Sequence, residues 1–157
     1  MEIQPYLPDQ ANEIADLFHA SVHAIDPAIY SLEQQEAWAP SPPDYTVWKD
    51  RLEGQQPYVA MVDGQIVGFI ELEADGFIDC FYTHPDFQRQ GIASKLYTYI
   101  LNVANRQGID QLSVQASLTA LPFFVQRGFT IVRKNELYRH GVTLINYDLV
   151  KPLSSDQ

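Results

Sequence analysis

The stretch Gln88-Arg89-Gln90-Gly91-Ile92-Ala93 has residue types and spacing that can do chemistry. It lies between an apolar, strand-like run, Gly76 to Thr83, and an amphipathic, helix-like run, Ile92 to Asn105. A glycine-bearing loop that opens a helix turns several unpaired backbone N–H groups toward one point, where an anion can bind. With Arg89 in the loop, the expected anion is a phosphate. Upstream, Asp79 offers a carboxylate that could take a proton from a reacting group.

The spacing Gln/Arg-x-x-Gly-x-Gly/Ala resembles the pyrophosphate loop of the GNAT superfamily, the acetyl-CoA-dependent N-acetyltransferases. The run Ile78-Asp79-Cys80-Phe81-Tyr82-Thr83-His84-Pro85-Asp86-Phe87 is similar to that family's fourth strand and its entry into the loop. Further on, Ala120-Leu121-Pro122-Phe123-Phe124-Val125-Gln126-Arg127-Gly128-Phe129 resembles the family's A-x-x-F-Y-x-x-x-G-F segment. The likeness covers Ile66 to Lys151; the N-terminal part matches in pattern alone.

The resemblance implies an acetyl-CoA-dependent transfer to a primary amine by direct attack in a ternary complex. The fourth and fifth strands, Phe77–Thr83 and Leu112–Gln115, would part to admit the pantetheine arm. The backbone of Phe81, Tyr82 and Thr83 would pair with that arm as with a neighbouring strand. The Thr83 N–H is the candidate oxyanion donor. Gln88, Arg89, Gln90, Gly91, Ile92 and Ala93 would hold the pyrophosphate, with Ser94 and Lys95 nearby. Ser117 stands where many members place an asparagine that touches the cofactor arm.

For the general base, Asp79 comes first, as base or as substrate ligand. Strand alternation puts Asp79, Phe81 and Thr83 on one face, and burial would raise the Asp79 pKa into the useful range. Glu33 and Trp38 are secondary, substrate-side candidates in the helical region that caps the acceptor site in this family; Glu71 and Glu73 are further carboxylates. Phe124 occupies the position where the family often has a tyrosine that protonates the departing thiolate, and phenylalanine has no proton to give. Tyr138, Tyr147, Ser117 or water would have to serve instead. A thiol pKa of about 8.5 makes the thiolate a tolerable leaving group. The rival reading, supported by Phe124, is a non-catalytic acyl-CoA-binding or sensor module.

His19 and His23 stand at i, i+4, a metal-like spacing, but no third ligand is evident and no metal is expected. Cys80, of opposite parity to Asp79, is expected to be packed rather than nucleophilic. As the only cysteine it excludes an internal disulfide and fits a reducing cytoplasm. The net charge of −10, with only 10 basic residues, argues against a nucleic-acid surface. An acidic surface suits a cationic small-molecule or peptide amine. No run is apolar enough to span a bilayer, and no export leader is read at Met1. Homodimers are common in the family.

At 157 residues, 46% hydrophobic, the chain suits a single domain, read as 1–153 with a disordered tail at 154–157. Asp9 is the candidate N-cap of a first amphipathic helix carrying Ile14, Leu17, Phe18, Val22 and Ile25. Ser31 to Gln34 reads as a capping box, and Tyr45 to Leu52 as a third helix. Asp63-Gly64 marks a hairpin. After the helix beginning at Ile92 come a strand at Leu112–Gln115, a helix at Thr119–Arg127, and strands at Phe129–Tyr138 and Val142–Lys151. The fold class expected is α/β, a mixed, mostly antiparallel sheet with flanking helices. The acceptor pocket is expected from Asp26–Asp50 and Arg133–Val142.

Overall fold

The residues that alternate or run apolar form seven strands in a computed structural model that describes residues 1–153. They are β1 (Glu2–Pro5), β2 (Tyr58–Val62), β3 (Gln65–Leu72), β4 (Phe77–Thr83), β5 (Gln111–Ser117), β6 (Thr130–Arg139) and β7 (Val142–Pro152). One sheet holds them all in the order β1-β2-β3-β4-β5-β7-β6. Every pairing is antiparallel except β4 with β5. The expected α/β class and mostly antiparallel sheet are what the chain adopts. The tail at 154–157 lies outside the described residues.

Five helices cover the sheet: α1 (Ala11–His23), α2 (Leu32–Trp38), α3 (Tyr45–Gln55), α4 (Ile92–Arg106) and α5 (Leu121–Gln126). On one face Ile92, Leu96, Ile100 and Ala104 of α4 pack with Val67, Ile70, Ile78, Leu112 and Leu149. On the other, Ile14 and Leu17 of α1 and Leu52 of α3 meet Val59, Ile66 and Phe69. β3 is buried through most of its length because helices lie on both of its faces.

Local signals decide most of the boundaries. Asp63 and Gly64 both have positive φ, as do His140 and Gly141, and each pair closes a two-residue hairpin of the kind that matches strand twist. Ser31 accepts the Gln34 N–H and the Gln34 side chain answers to the Ser31 N–H, so the capping box forms. Asp9 does not cap α1. It lies inside a 3₁₀ turn, Pro8–Gln10, and α1 begins at Ala11 with no side-chain cap. The helix expected over Thr119–Arg127 is shorter, because Ser117 closes a turn by accepting the Ala120 N–H and delays the helix to Leu121.

The consequential irregularity is in β4. Ile70 pairs with Phe81 but Leu72 pairs with Ile78, so β4 carries an extra residue at Asp79–Cys80. A bulge of this kind reverses the alternation of side chains across it. Phe81 therefore joins Ile78 on the α4 face, whereas Cys80 and Tyr82 pack on the α1 side.

α4 packs tightly over Gly68 of β3. A Cβ there would meet Leu96 Cδ1 at 2.9 Å, Ile92 Cγ2 at 3.1 Å and the Tyr82 carbonyl at 3.2 Å. Gly68→Ala should overpack this contact and lower stability by about 1–3 kcal/mol, measured by urea unfolding. An unchanged midpoint would show that α4 does not seat on Gly68.

Candidate active site

β4 and β5 touch only at their beginnings. Their parallel register comprises Phe77 with Ser113 and Ile78 with Val114, after which β5 stays with β7 and β4 with β3. A wedge opens between them toward their C-terminal ends. The backbone of β4 presents alternate residues to it. His84 N–H donates to the Val67 carbonyl at 2.8 Å, the bond that flanks a non-hydrogen-bonded pair at Gly68 and Thr83. Thr83 and Phe81 therefore aim their N–H and C=O groups away from β3 and toward the wedge. Tyr82, opposite Phe69, turns its own to β3. The expectation that all three backbones are open is corrected to Phe81 and Thr83. The Thr83 carbonyl accepts the Ser21 hydroxyl at 2.7 Å, and Gln88 Nε2 donates to Thr83 Oγ1 at 3.0 Å.

The loop that follows delivers the chain into α4. Arg89 (φ 63°) and Gly91 (φ 78°) are both left-handed, and nothing lies within 4 Å of the Cβ position at Gly91. Gly91 is the N-cap residue of α4 and no side chain caps that end. The first N–H groups of a 15-residue helix thus face open space, together with the positive end of its dipole. Gln88, Arg89, Gln90 and Gly91 are exposed, Ile92 is buried beneath them, and Ala93 and Ser94 are half-buried. Arg127, which the sequence reading gave no role, donates to Ser94 Oγ at 2.7 Å and stacks on Phe123 at 3.5 Å, adding a cation beside this end. An uncapped helix start, open space and two guanidinium groups fit a pyrophosphate.

A cleft of about 270 Å³ opens on the α1 side of β4. Phe18, Trp38, Trp48, Tyr30 and Tyr82 supply its aromatic walls, and Asp79, Cys80, Arg51, Ser117, Asn146 and Arg139 its polar ones. Trp38 is thus placed in the cleft, edge-on to Tyr30 at 5.5 Å between ring centroids. Residues from both expected pocket segments reach it: Tyr30, Trp38 and Trp48 from the first, Leu137 and Arg139 from the second.

The bulge brings Asp79 and Cys80 into the cleft together, against the opposite parity expected for them, and sends Phe81 to the core. Arg51 of α3 sits among three acceptors, contacting Glu71 Oε1 at 2.7 Å, Asp79 Oδ2 at 2.8 Å and Cys80 Sγ at 3.1 Å. Gln55 Nε2 also donates to Asp79 Oδ2 at 2.8 Å. The deep burial expected of Asp79 belongs instead to Glu71, whose side chain is fully buried while that of Asp79 is 32% exposed. Burial pushes the Glu71 carboxyl above its ordinary range, with Arg51 pulling the other way. Burial also pushes the Cys80 thiol and the Tyr82 hydroxyl well above their usual values, so both keep their protons at neutral pH. A protonated thiol is a poor nucleophile.

Other expected residues fall elsewhere. Glu33 is exposed and lines a separate depression with Glu36 and His140. Tyr138 is 77% exposed, on the face of β6 opposite to Leu137 and Arg139. Tyr147 packs against the α4-side core, and Phe124 is buried there among Phe81, Phe123 and Phe129. Ser117 lines the cleft, its Oγ accepting the Ala120 N–H at 3.2 Å. Tyr30 was not singled out in sequence. Its hydroxyl accepts the Leu118 N–H at 2.9 Å and donates to the Ile145 carbonyl at 3.1 Å, joining the cleft to β5 and β7. Arg51 and Gln55 were also missed; their i, i+4 spacing on one helix was the available signal.

A sheet that parts beside an uncapped helix start, next to an aromatic cleft holding a carboxylate, defines an acyltransferase of the GNAT type. The family described as an acetyltransferase (GNAT) domain matches residues 27–151. The uncharacterised N-acetyltransferase YafP of Escherichia coli K12 is 31% identical over 147 residues, 94% of this chain and 93% of that protein. The crystal structure of a GCN5-related N-acetyltransferase from Rhodopseudomonas palustris superposes with a TM-score of 0.90 at 35% identity, covering 97% of this chain and 95% of that one. The PaiA N-acetyltransferase of Thermoplasma acidophilum, solved in complex with coenzyme A, shares the fold at a TM-score of 0.76 and 16% identity, over 97% of this chain and 98% of that one. The chain belongs to the GNAT acetyltransferase family.

Arg51→Met would leave Glu71 buried without its partner, at a cost of about 3 kcal/mol. The native state holds the Glu71 proton more tightly than the unfolded chain does, so the variant's stability should fall as pH rises above the ordinary glutamate range. Adding Glu71→Leu should recover much of the loss. Urea unfolding at several pH values measures both effects, and a single variant as stable as the parent would contradict this role for Arg51.

Proposed function

We propose that this acetyltransferase uses acetyl-CoA and passes the acetyl group to a primary amine by direct attack, with both substrates bound together. The observation that carries the reading is the parting of β4 from β5 after two residue pairs, alongside the uncapped start of α4. Acetyl-CoA would supply the activated acyl group. PaiA, a fold relative, was solved with coenzyme A, which supports this choice of acyl carrier.

Each residue's part follows from its surroundings. The N–H groups at Gly91, Ile92 and Ala93, with Arg89 and Arg127 beside them, hold the pyrophosphate. The open backbone of Phe81 holds the pantetheine amide groups as a neighbouring strand would. The Thr83 N–H, fixed in direction by the β3–β4 ladder, meets the developing oxyanion. Asp79 takes the amine proton directly or through water. Arg51 and Gln55 both bind its Oδ2, and Oδ1 accepts no hydrogen bond among the described residues. The aromatic walls exclude water and grip the apolar part of a small-molecule or peptide amine.

Protonation of the departing thiolate falls to water in this reading. Phe124 is in the core, Tyr138 faces outward, and the Tyr30 hydroxyl already serves two backbone groups. A leaving thiolate with a conjugate pKa near about 8.5 tolerates this. The lack of a tyrosine at position 124 would also suit a non-catalytic acyl-CoA sensor, which predicts binding without turnover.

Two substitutions test the assignment. Gly91→Glu places a carboxylate at the anion site and costs only about 1–2 kcal/mol for the left-handed φ, so acetyl-CoA binding should vanish while the chain remains folded. Asp79→Asn should leave acetyl-CoA binding intact and lower kcat by about 10²–10⁴-fold. Tight binding by the first variant would refute the loop assignment. Unchanged kcat with raised KM in the second would make Asp79 an acceptor ligand rather than the base.

A further inference from the structure

The His19/His23 pair gains in three dimensions the partner that sequence spacing does not reveal. Both histidines project from one face of α1 with their rings stacked at 4.1 Å. Glu36 comes from α2, and one ligand atom from each of the three lies within 4.8 Å of the others. Glu36 Oε2 is 3.6 Å from His23 Nε2. The Ser41 hydroxyl sits between the groups, 2.7 Å from His19 Nε2 and 2.9 Å from Glu36 Oε2. His23 Nε2 also reaches the Ala39 carbonyl at 2.8 Å.

We propose that His19, His23 and Glu36 bind a divalent transition-metal ion of the zinc class, clipping α1 to α2. Two imidazoles and one carboxylate form a ligand set that such ions favour and that magnesium and calcium, which take oxygen ligands, do not. Metal–ligand bonds of about 2.0–2.1 Å in a tetrahedral site put ligand atoms about 3.3 Å apart. The ligand atoms now lie within 4.8 Å of one another, so each has to move inward to reach that spacing. Ser41 or water completes the fourth position, and the ion displaces the hydrogen bonds now centred on Ser41 together with the one from His23 Nε2 to the Ala39 carbonyl, whose proton is released or moves to Nδ1.

The location gives the ion a structural consequence. Phe18 is adjacent to His19 on α1, and Trp38 lies on α2 close to Glu36; both rings line the cleft. Tying the helices together fixes one cleft wall. The other carboxylate-and-thiol group, Glu71, Asp79 and Cys80, does not compete as a site, because Arg51 already contacts all three residues.

The test is titration of the tag-free, chelator-stripped full chain with Zn²⁺, and with Co²⁺ followed by its visible absorption. The parent protein should bind one equivalent of Zn²⁺ at micromolar concentration or tighter and show the intense band of a low-coordinate cobalt site. It should also melt higher with Zn²⁺, and ignore Mg²⁺. His19→Ala and His23→Ala should each weaken binding more than about tenfold, and Glu36→Gln should weaken it while retaining a side chain able to contact Ser41. Cys80→Ser should leave the Zn²⁺ affinity unchanged. Absence of Zn²⁺ binding at millimolar concentration would overturn the proposal. So would binding that survives the double substitution of both histidines in a chain still folded by circular dichroism.

Discussion

The extra residue that β4 carries at Asp79–Cys80 is the constraint on which the site depends. Without it, strict alternation would set Asp79 and Phe81 on one face. With it, Phe81 packs against Phe123 and Phe124 beneath the wedge, while Asp79, Cys80 and Tyr82 all reach the cleft. The backbone beyond the bulge keeps its ladder with β3, which fixes Phe81 and Thr83 as the residues whose N–H and C=O groups face the gap. One irregularity thus separates the side chains that line the cleft from the main chain that borders the wedge. Bulges beside active sites commonly re-aim a side chain in this way.

Electrostatics then hold the bulge in place. Arg51 spans from α3 to Glu71 on β3 and to Asp79 and Cys80 on β4, so one guanidinium bridges three elements. Glu71 is fully buried, and such a charge persists only when paired and hydrogen-bonded. Two carboxylates against one guanidinium leave a net negative charge at the cleft wall, which suits an ammonium-bearing acceptor among aromatic faces. The burial that makes Glu71 costly also keeps Cys80 a thiol. A covalent route through this sulfur is disfavoured by that protonation.

Much of this architecture was legible in the sequence. The turn at Asp63-Gly64, the capping box at Ser31 and the apolar stripe of α4 are local effects, written in residues a few positions apart. The loop from Gln88 to Ala93 was legible for the same reason: positive φ at Gly91 and a helix start need only neighbouring residues. The catalytic side was less so. A bulge has no reliable local code, so the alternation rule misplaced Phe81 against Asp79. Arg51, Gln55 and Tyr30 reach the cleft through pairings between distant segments, which one chain's periodicity does not encode. Glu36 completes a cluster with His19 and His23 only because α2 folds back along α1. Asp9 and the start of α5 show the converse, local signals displaced by a competing turn.

The measurement that most directly tests the central claim is amide hydrogen exchange at β4, residue by residue, with and without acetyl-CoA. The account predicts that the Phe81 and Thr83 amides exchange readily in the free protein and slow on addition of the cofactor. Tyr82, already bonded to β3, should be slow in both states. Slowing confined to α4, or no change at Phe81 and Thr83 under saturating acetyl-CoA, would contradict the cofactor's place as a strand in the wedge between β4 and β5.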